Sequence, residues 1–223
     1  YGIIICLSYI ALISEINFEY YFKLSLMLVS FILISLGLLS STLHLGHPER
    51  AWRSFSQWRS SWLSREGLAA IITYIPLMFF YLLWYLDISL YKYLLVTSSI
   101  LCLVTIYCTG QMYATLKTIP AWNNILVTPI YLINAISMGA LCIYCLTRFY
   151  ETEVSQLYEL TLISLTLCLF LKLIYWFYIS TKTTSTANTA TGLGQNNKVS
   201  FFEGPHTGRN FLTTEMINKI KKE

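Results

Sequence analysis

The sequence predicts an all-α integral membrane protein, built as a polytopic helix bundle. Of its residues 56% are hydrophobic and only 12% are charged, which lies outside the usual balance of soluble domains. Five apolar stretches are long enough to cross a hydrocarbon core of about 30 Å at about 1.5 Å per residue. Their apolar residues form continuous runs, such as 77–86, whereas the strands of a membrane β-barrel alternate apolar and polar residues.

Six spans are predicted in chain order. The five long ones cover residues 24–44, 67–86, 93–115, 125–146 and 157–180, and a short one covers 2–13. Residue 1 is tyrosine rather than an initiating methionine, so we expect the first span to have lost its start. The predicted organisation is a transmembrane bundle over 1–180 and a polar tail over 181–223, in which apolar residues resume after residue 201 and predict a short C-terminal helix.

Between the second and third spans, the sequence predicts an amphipathic interfacial helix over 50–63. Aromatic residues recur there at three- to four-residue spacing, with arginine and polar residues between them; they are Trp52, Phe55, Trp58 and Trp62. This pattern places aromatic rings at the depth of lipid headgroups and guanidinium groups toward water or phosphate. A simple anchor in contact with membrane lipid explains the aromatic face.

Basic residues are distributed unevenly between alternate loops. One side carries eleven, namely Arg50, Arg53, Arg59, Arg65, Lys117, Lys182, Lys198, Arg209, Lys219, Lys221 and Lys222, and the other side carries Lys23, Lys92 and Arg148. The positive-inside rule then predicts that the 44–66 loop and the C-terminal tail are cytoplasmic. The alternative is that the basic loop binds an acidic partner subunit on either side of the membrane.

His44 and Glu66 are the candidate catalytic residues. They lie at the ends of the two apolar segments that flank the basic loop, where ionisable groups often handle protons, electrons or polar headgroups. A quinol needs a hydrogen-bond partner and a proton acceptor, and histidine, with an ordinary pKa of about 6.5, suits both tasks. Glu66 would carry the proton onward to water. The alternatives are a solvated histidine and a glutamate that favours a helix N-terminus.

Other redox chemistry is disfavoured. A b-type haem held between histidines needs two of them at similar depth, but His44 and His47 share one helix end and His206 lies in the polar tail. We therefore predict no haem, and no motif predicts a metal site.

Lys172 is a further exception among the apolar residues, since it lies inside the sixth span near Tyr175. Its side chain either extends to the interface or lines a polar cavity. A competing class of protein is a proton-coupled small transporter or a purely structural anchor, although Pro76 and Pro129 are not surrounded by an inverted repeat.

Several motifs resemble one family of membrane anchors. Residues 43–51 read LHLGHPERA and 63–66 read LSRE, followed by YAT at 113–115, TIPAW at 118–122 and TP at 128–129. Over most of residues 2–146 the sequence resembles the membrane anchor subunit of the dimethyl sulfoxide reductase family of molybdoenzymes. In the tail, ATGLG at 190–194 and PHTGRNFL at 205–212 resemble a branch with a longer cytoplasmic segment.

The resemblance implies a haem-free anchor in the bacterial inner membrane. Such an anchor exchanges electrons between a quinone, either menaquinone or ubiquinone, and a four-cluster iron–sulfur subunit, which serves a catalytic subunit holding molybdopterin. It assigns His44 and Glu66 to the quinol site, in agreement with the residue chemistry. Arg50 matches a family arginine, and we expect Arg50 to bind a quinone oxygen, an anionic lipid or the partner. We expect Trp52 to contribute to the same site.

The sequence departs from the family at two points. His47 stands where a small residue is common, and six spans are visible where the family typically has eight. The charge asymmetry places the 44–66 loop, the surface expected to dock the partner subunits, in the cytoplasm. This orientation favours quinone reduction, with sulfite oxidation as the family branch that fits best. No nucleic-acid partner is predicted. The alternative is a quinol-oxidising anchor of a dimethyl sulfoxide-type terminal reductase in anaerobic respiration.

Overall fold

The computed structural model describes residues 1–13, 18–43, 48–117, 119, 121–152 and 154–181. Within these ranges all regular secondary structure is helical and there are no strands. The prediction of an all-α protein is therefore confirmed. The predicted C-terminal helix and His206 lie outside the described residues.

The described elements are six α-helices and one 3₁₀ helix. In chain order they are α1 (Gly2–Ile13), α2 (Tyr20–Leu43), the 3₁₀ helix (Pro48–Gln57), α3 (Trp62–Tyr85), α4 (Tyr91–Ala114), α5 (Val127–Phe149) and α6 (Ser155–Thr181). Helices α2 to α6 contain 23 to 27 residues and are therefore about 34 to 41 Å long, enough to cross a bilayer. The short first segment forms the 12-residue α1.

Helix α3 begins at Trp62, five residues before the predicted start of the third span. Ser61 is its N-cap, and the Ser61 Oγ atom accepts a hydrogen bond from the Ser64 amide at 3.5 Å, so an otherwise unpaired amide of the first turn has a partner. Arg65 and Glu66 consequently lie within α3 rather than in the loop before it.

The bundle is built around α4 and α5. Helix α3 packs along α4, α6 packs along α5, and α1 lies against both α4 and α5, whereas α2 makes fewer contacts at the edge of the bundle. Glycines allow two close helix crossings. A Cβ atom added to Gly139 would lie 2.1 Å from the Gly2 carbonyl carbon, and one added to Gly110 would lie 2.9 Å from the Thr128 Cα atom.

The outer helix surfaces are apolar. Large side chains such as Ile163, Phe170 and Phe177 of α6 are more than half exposed, and α2 exposes leucine side chains along most of its length. Such surfaces are expected where a helix faces lipid, because its backbone groups are already paired internally.

Neighbouring long helices are antiparallel, so the bundle has two ends. The 3₁₀ helix and the 115–126 connection lie at one end, which we call the loop end, and Glu66 of α3 meets Thr109 of α4 there. The 86–90 and 150–154 connections lie at the opposite end, where Lys23 of α2 forms an ion pair with Asp87. The candidate site is thus confined to the loop end.

Candidate functional site

Glu66 lies in the second turn of α3 and is half-buried against α4. Its Oε1 atom accepts a hydrogen bond from the Thr109 hydroxyl at 2.8 Å. The same hydroxyl lies 3.0 Å from the Thr105 carbonyl oxygen. Because a hydroxyl carries one proton, it can donate to an ionised Glu66, or donate to Thr105 while accepting from a protonated Glu66. The contact therefore accommodates both protonation states of the carboxyl group.

Arg65 holds the preceding turn onto α3. Its Nε atom donates to the Trp58 carbonyl oxygen at 2.9 Å and its Nη2 atom donates to the Arg59 carbonyl oxygen at 2.6 Å. The guanidinium group lies 4.3 Å from the centre of the Trp62 ring, a cation–π contact. Sequence reasoning counted Arg65 only as a loop charge, but the structure shows that it fixes the path of the backbone beside Glu66.

The predicted interfacial helix over 50–63 needs correction. The backbone forms a 3₁₀ helix over Pro48–Gln57, which ends before Trp58, while Trp62 belongs to α3. Spacings of three residues suit a 3₁₀ helix as well as an α-helix. Local bonds also favour the tighter turn, since the Ser56 Oγ atom donates to the Arg53 carbonyl oxygen at 2.8 Å.

The structure does not bring all predicted site residues together. His44 directly follows the last residue of α2, but it lies outside the described residues, as does His47. Trp52 is 67% exposed on the 3₁₀ helix. Arg50 is also exposed, and its Nε atom lies 3.8 Å from a carboxylate oxygen of Glu49. Of the predicted set, Glu66 is the member with a described contact inside the bundle.

A second feature of the loop end is a cavity of about 390 Å³ between α4, α5 and α6, which we call the aromatic cavity. It is lined by Tyr113, Trp122, Val127, Ile130, Tyr131, Lys172 and Tyr175. The Tyr113 and Tyr131 rings are stacked with their centres 5.5 Å apart, and Trp122 meets Tyr113 edge to face at 5.0 Å. Of the two interpretations of Lys172, the structure agrees with a place on a cavity.

Sequence reasoning missed the rest of this cavity. Tyrosine and tryptophan are frequent throughout the protein, so their types gave no signal. The Tyr175 hydroxyl donates to the Ala121 carbonyl oxygen at 3.0 Å, a contact between residues far apart in sequence. The sequence held two signals: Lys172, a charge inside an apolar span, and the family motifs at 113–115 and 118–122, which contain Tyr113 and Trp122.

The aromatic cavity and Glu66 are connected through α4 and α5. Thr109, which binds Glu66, and Tyr113, which lines the cavity, are one turn apart on α4 and therefore share a face. Tyr131 of α5 stacks on Tyr113 and so joins the two helices at the cavity. The loop end thus holds a carboxyl group and a ring-lined cavity as neighbours. Within the described ranges, no group of three or more His, Cys, Asp or Glu residues is placed to hold a metal ion.

The fold and the site define a multi-pass helical membrane protein with a half-buried carboxyl group and an aromatic cavity at one end. The family described as DMSO reductase anchor subunit (DmsC) matches residues 1–201. The protein belongs to this family, as the motif resemblance predicted.

Two curated relatives illustrate the similarity. One is a sulfite dehydrogenase subunit of Allochromatium vinosum, which is 32% identical over 143 residues, in a match covering 58% of this protein and 42% of the relative. The other belongs to the anaerobic dimethyl sulfoxide reductase of Haemophilus influenzae and is 28% identical over 123 residues, covering 54% and 44% respectively. The matched region thus spans less than half the length of these curated relatives. No solved structure matches the protein.

Proposed function

We propose that this protein is a haem-free membrane anchor that passes electrons between the quinone pool and an iron–sulfur subunit, which in turn serves a molybdopterin-containing catalytic subunit. The family match supports the role of anchor. The two relatives are named as parts of a sulfite dehydrogenase and of a dimethyl sulfoxide reductase, which supports partners of this kind. Both partners are separate polypeptides of the same complex.

The observation that carries this proposal is the contact between Glu66 and Thr109 at the loop end. Burying a carboxyl group between two apolar helices is energetically costly unless the group is hydrogen-bonded. Ionisable residues within membrane spans usually mark functional sites. The Thr109 hydroxyl can either donate a hydrogen bond to Glu66 or accept one from it. Glu66 can therefore hold or release a proton without rearranging the helices. The residues therefore fit a ligand that exchanges protons at the membrane boundary.

A bound quinone is converted to quinol by two electrons and two protons, and the reverse reaction releases them. In the proposed mechanism His44 hydrogen-bonds a quinone oxygen and exchanges a proton with it, and Glu66 relays protons between the site and the aqueous side. The 3₁₀ segment, including Arg50 and Trp52, covers the site and docks the iron–sulfur partner. The 3₁₀ helix is next to α3, since a Cβ atom on Gly67 would lie 3.5 Å from the Phe55 ring.

We propose quinone reduction as the direction. Oxidation of sulfite with water yields sulfate, two protons and two electrons, and those electrons with two protons convert one quinone to quinol. The relative named as part of a sulfite dehydrogenase supports this direction. The relative named as part of a dimethyl sulfoxide reductase supports the alternative, an anchor that oxidises quinol.

The test uses the complex purified gently from native membranes. We expect molybdenum, several iron–sulfur signals and no haem absorption band. In the His44→Ala variant we expect quinone-linked turnover to be abolished while turnover with a dye that accepts electrons from the partner subunits is kept. His206→Ala, the same substitution in the polar tail, is the matched control and should keep both activities.

Two results would contradict the proposal. A single purified polypeptide without metals would exclude a redox anchor and favour a transporter or scaffold. Normal quinone-linked turnover in the His44→Ala complex would remove His44 from the site.

A further inference from the structure

We propose that the aromatic cavity binds the ring of the quinone, with the Lys172 ammonium group donating a hydrogen bond to one carbonyl oxygen. This inference rests on the proposed function and adds a location for the ring and a hydrogen-bond donor, Lys172, that lies outside the family motifs. It places the ring between α4, α5 and α6, with Glu66 beside it.

The shape and lining of the cavity suit a flat ring. Its volume of about 390 Å³ lies within the range of small-ligand pockets, roughly 300 to 1,000 Å³. Four aromatic side chains contribute to the wall, from Tyr113, Trp122, Tyr131 and Tyr175, and aromatic rings favour stacked or edge-to-face contacts with another ring. Val127 and Ile130 supply apolar wall, which suits the start of a prenyl tail.

Lys172 is the charged hydrogen-bond donor among the described residues that line the cavity. Its Nζ atom lies 5.8 Å from the centre of the Tyr175 ring, and Tyr175 is itself fixed by its hydrogen bond to the Ala121 carbonyl oxygen. The Lys172 ammonium group therefore lies over a tyrosine ring that a hydrogen bond holds in place. A lysine inside an apolar span is energetically unfavourable, and such residues usually mark a ligand site or an ion pathway.

The charge of the lining separates a quinone from a phospholipid headgroup. Within the part of the chain that the structure describes, Lys172 is the one ionisable cation in the lining of the cavity. Anionic phosphates are usually bound by several cations or by bidentate arginine, whereas each carbonyl oxygen of a neutral quinone needs a single donor. The lining therefore favours a quinone over an anionic headgroup.

The position of the cavity also gives the ring access to a proton carrier. Tyr113 lies one turn beyond Thr109 on α4, and Thr109 is the partner of Glu66. Tyr131 of α5 stacks on Tyr113. A ring held between Lys172 and these tyrosines would lie next to the carboxyl group that the proposed function uses for protons.

The test labels the intact complex with a photoreactive azidoquinone and locates the adduct by mass spectrometry of peptide fragments. In the wild-type complex we expect adducts on fragments containing Trp122, Tyr131 or Tyr175, and protection from labelling by excess decylubiquinone. Lys172→Met keeps an unbranched side chain, one atom shorter, and removes the charge. It should lower labelling and raise the KM for decylubiquinone about 10- to 100-fold, because a hydrogen bond from a charged donor is lost. Lys172→Arg should recover part of the affinity.

Lys92→Met at the opposite end of the bundle is the matched control, with labelling and KM unchanged. Dye-linked turnover of the partner subunits should also stay unchanged in Lys172→Met, because the cavity lies outside their active site. Labelling of the wild-type complex requires no substitution, so the location can be tested even if a variant fails to assemble.

The outcomes distinguish this inference from the proposed function. Wild-type adducts located away from the cavity, or unchanged labelling and KM in Lys172→Met while Glu66→Gln loses quinone-linked turnover, would overturn the cavity assignment and leave the proposed function standing. Loss of a co-purified anionic phospholipid in Lys172→Met, with KM unchanged, would make the cavity a lipid site and overturn the inference. Absence of both labelling and quinone-linked turnover in the wild-type complex would overturn both.

Discussion

Glu66 and Thr109 form the polar contact on which the proposed proton transfer depends. Replacing Glu66 by Gln keeps the shape of the side chain but removes the transferable proton, so we expect quinone-linked turnover to fall by about 10²- to 10⁴-fold. Thr109→Val keeps the shape of the threonine and removes the hydroxyl, and we expect a smaller loss of about tenfold. Steady-state turnover of the assembled complex measures both effects.

Thr97→Val is the matched control for Thr109→Val. Thr97 lies on the same helix, near the opposite end, and its hydroxyl donates to the Tyr93 carbonyl oxygen at 2.9 Å. Both substitutions remove one helix-bound hydroxyl, but Thr109 alone of the two contacts Glu66. Equal turnover in the two variants would show that Thr109 has no part in proton transfer.

Arg65 stabilises the path of the backbone rather than the chemistry. Arg65→Lys keeps the charge but loses the fork that reaches the carbonyl oxygens of Trp58 and Arg59. We expect the variant to lose about 1 to 2 kcal/mol of local stability, measured as faster proteolysis within residues 58–61. Arg148→Lys at the opposite end should leave that rate unchanged, and an unchanged rate in Arg65→Lys would contradict the proposed role.

Residue types revealed only part of this site. Glu66 was predictable because a carboxyl group at the edge of an apolar span is rare and costly. Thr109 was not, because hydroxyls in these helices commonly bond to the carbonyl oxygen one turn back, as those of Thr97 and Thr161 do. The contact between Tyr175 and Ala121 depends on how α6 packs on the 115–126 connection, which no local pattern records.

At the scale of helices, the close crossing of α4 and α5 positions the aromatic cavity. Gly110 allows the approach, because an added Cβ atom would lie 2.9 Å from the Thr128 Cα atom, a backbone atom that cannot move aside. The Gln111 Nε2 atom also donates to the Thr128 hydroxyl at 3.2 Å. Beside this crossing, Tyr113 of α4 and Tyr131 of α5 stack on each other.

We therefore expect Gly110→Ala to separate α4 from α5 and lower the free energy of unfolding by about 1 to 3 kcal/mol. The thermal midpoint of the purified complex, together with azidoquinone labelling, measures the change. Gly37→Ala is the matched control, because an added Cβ atom there meets nothing within 4 Å, and it should be neutral or slightly stabilising. A similar midpoint in the two variants would show that the crossing tolerates a side chain.

Helix type and length were predictable to different degrees. The length of each apolar run predicted the long helices, since only helices of that length can cross a bilayer with their backbone groups paired. The start of α3 was predicted too late in the chain. The helix begins at Trp62, directly after its N-cap Ser61, and so includes the polar residue Arg65 ahead of the continuous apolar run. The 3₁₀ helix was misjudged because aromatic spacing alone does not distinguish it from an α-helix.

For the molecule as a whole, charge asymmetry predicts the orientation. The described part of the loop end carries Arg50, Arg53, Arg59, Arg65 and Lys117, whereas the opposite end carries Lys23, Lys92 and Arg148. Since positively charged loops are retained in the cytoplasm, we propose that the loop end is cytoplasmic.

A pair of reporter fusions tests this orientation. A reporter placed after Glu223 should be active only in its cytoplasmic form, and one inserted after Ser89, in the connection between α3 and α4, only in its exported form. The two sites should respond oppositely, because α4, α5 and α6 cross the membrane three times between Ser89 and the end of α6. The reverse pattern would place the docking face outside the cytoplasm. An external docking face would remove the argument for a cytoplasmic sulfite-oxidising partner, and a quinol-oxidising anchor of a dimethyl sulfoxide-type reductase would then be the better proposal.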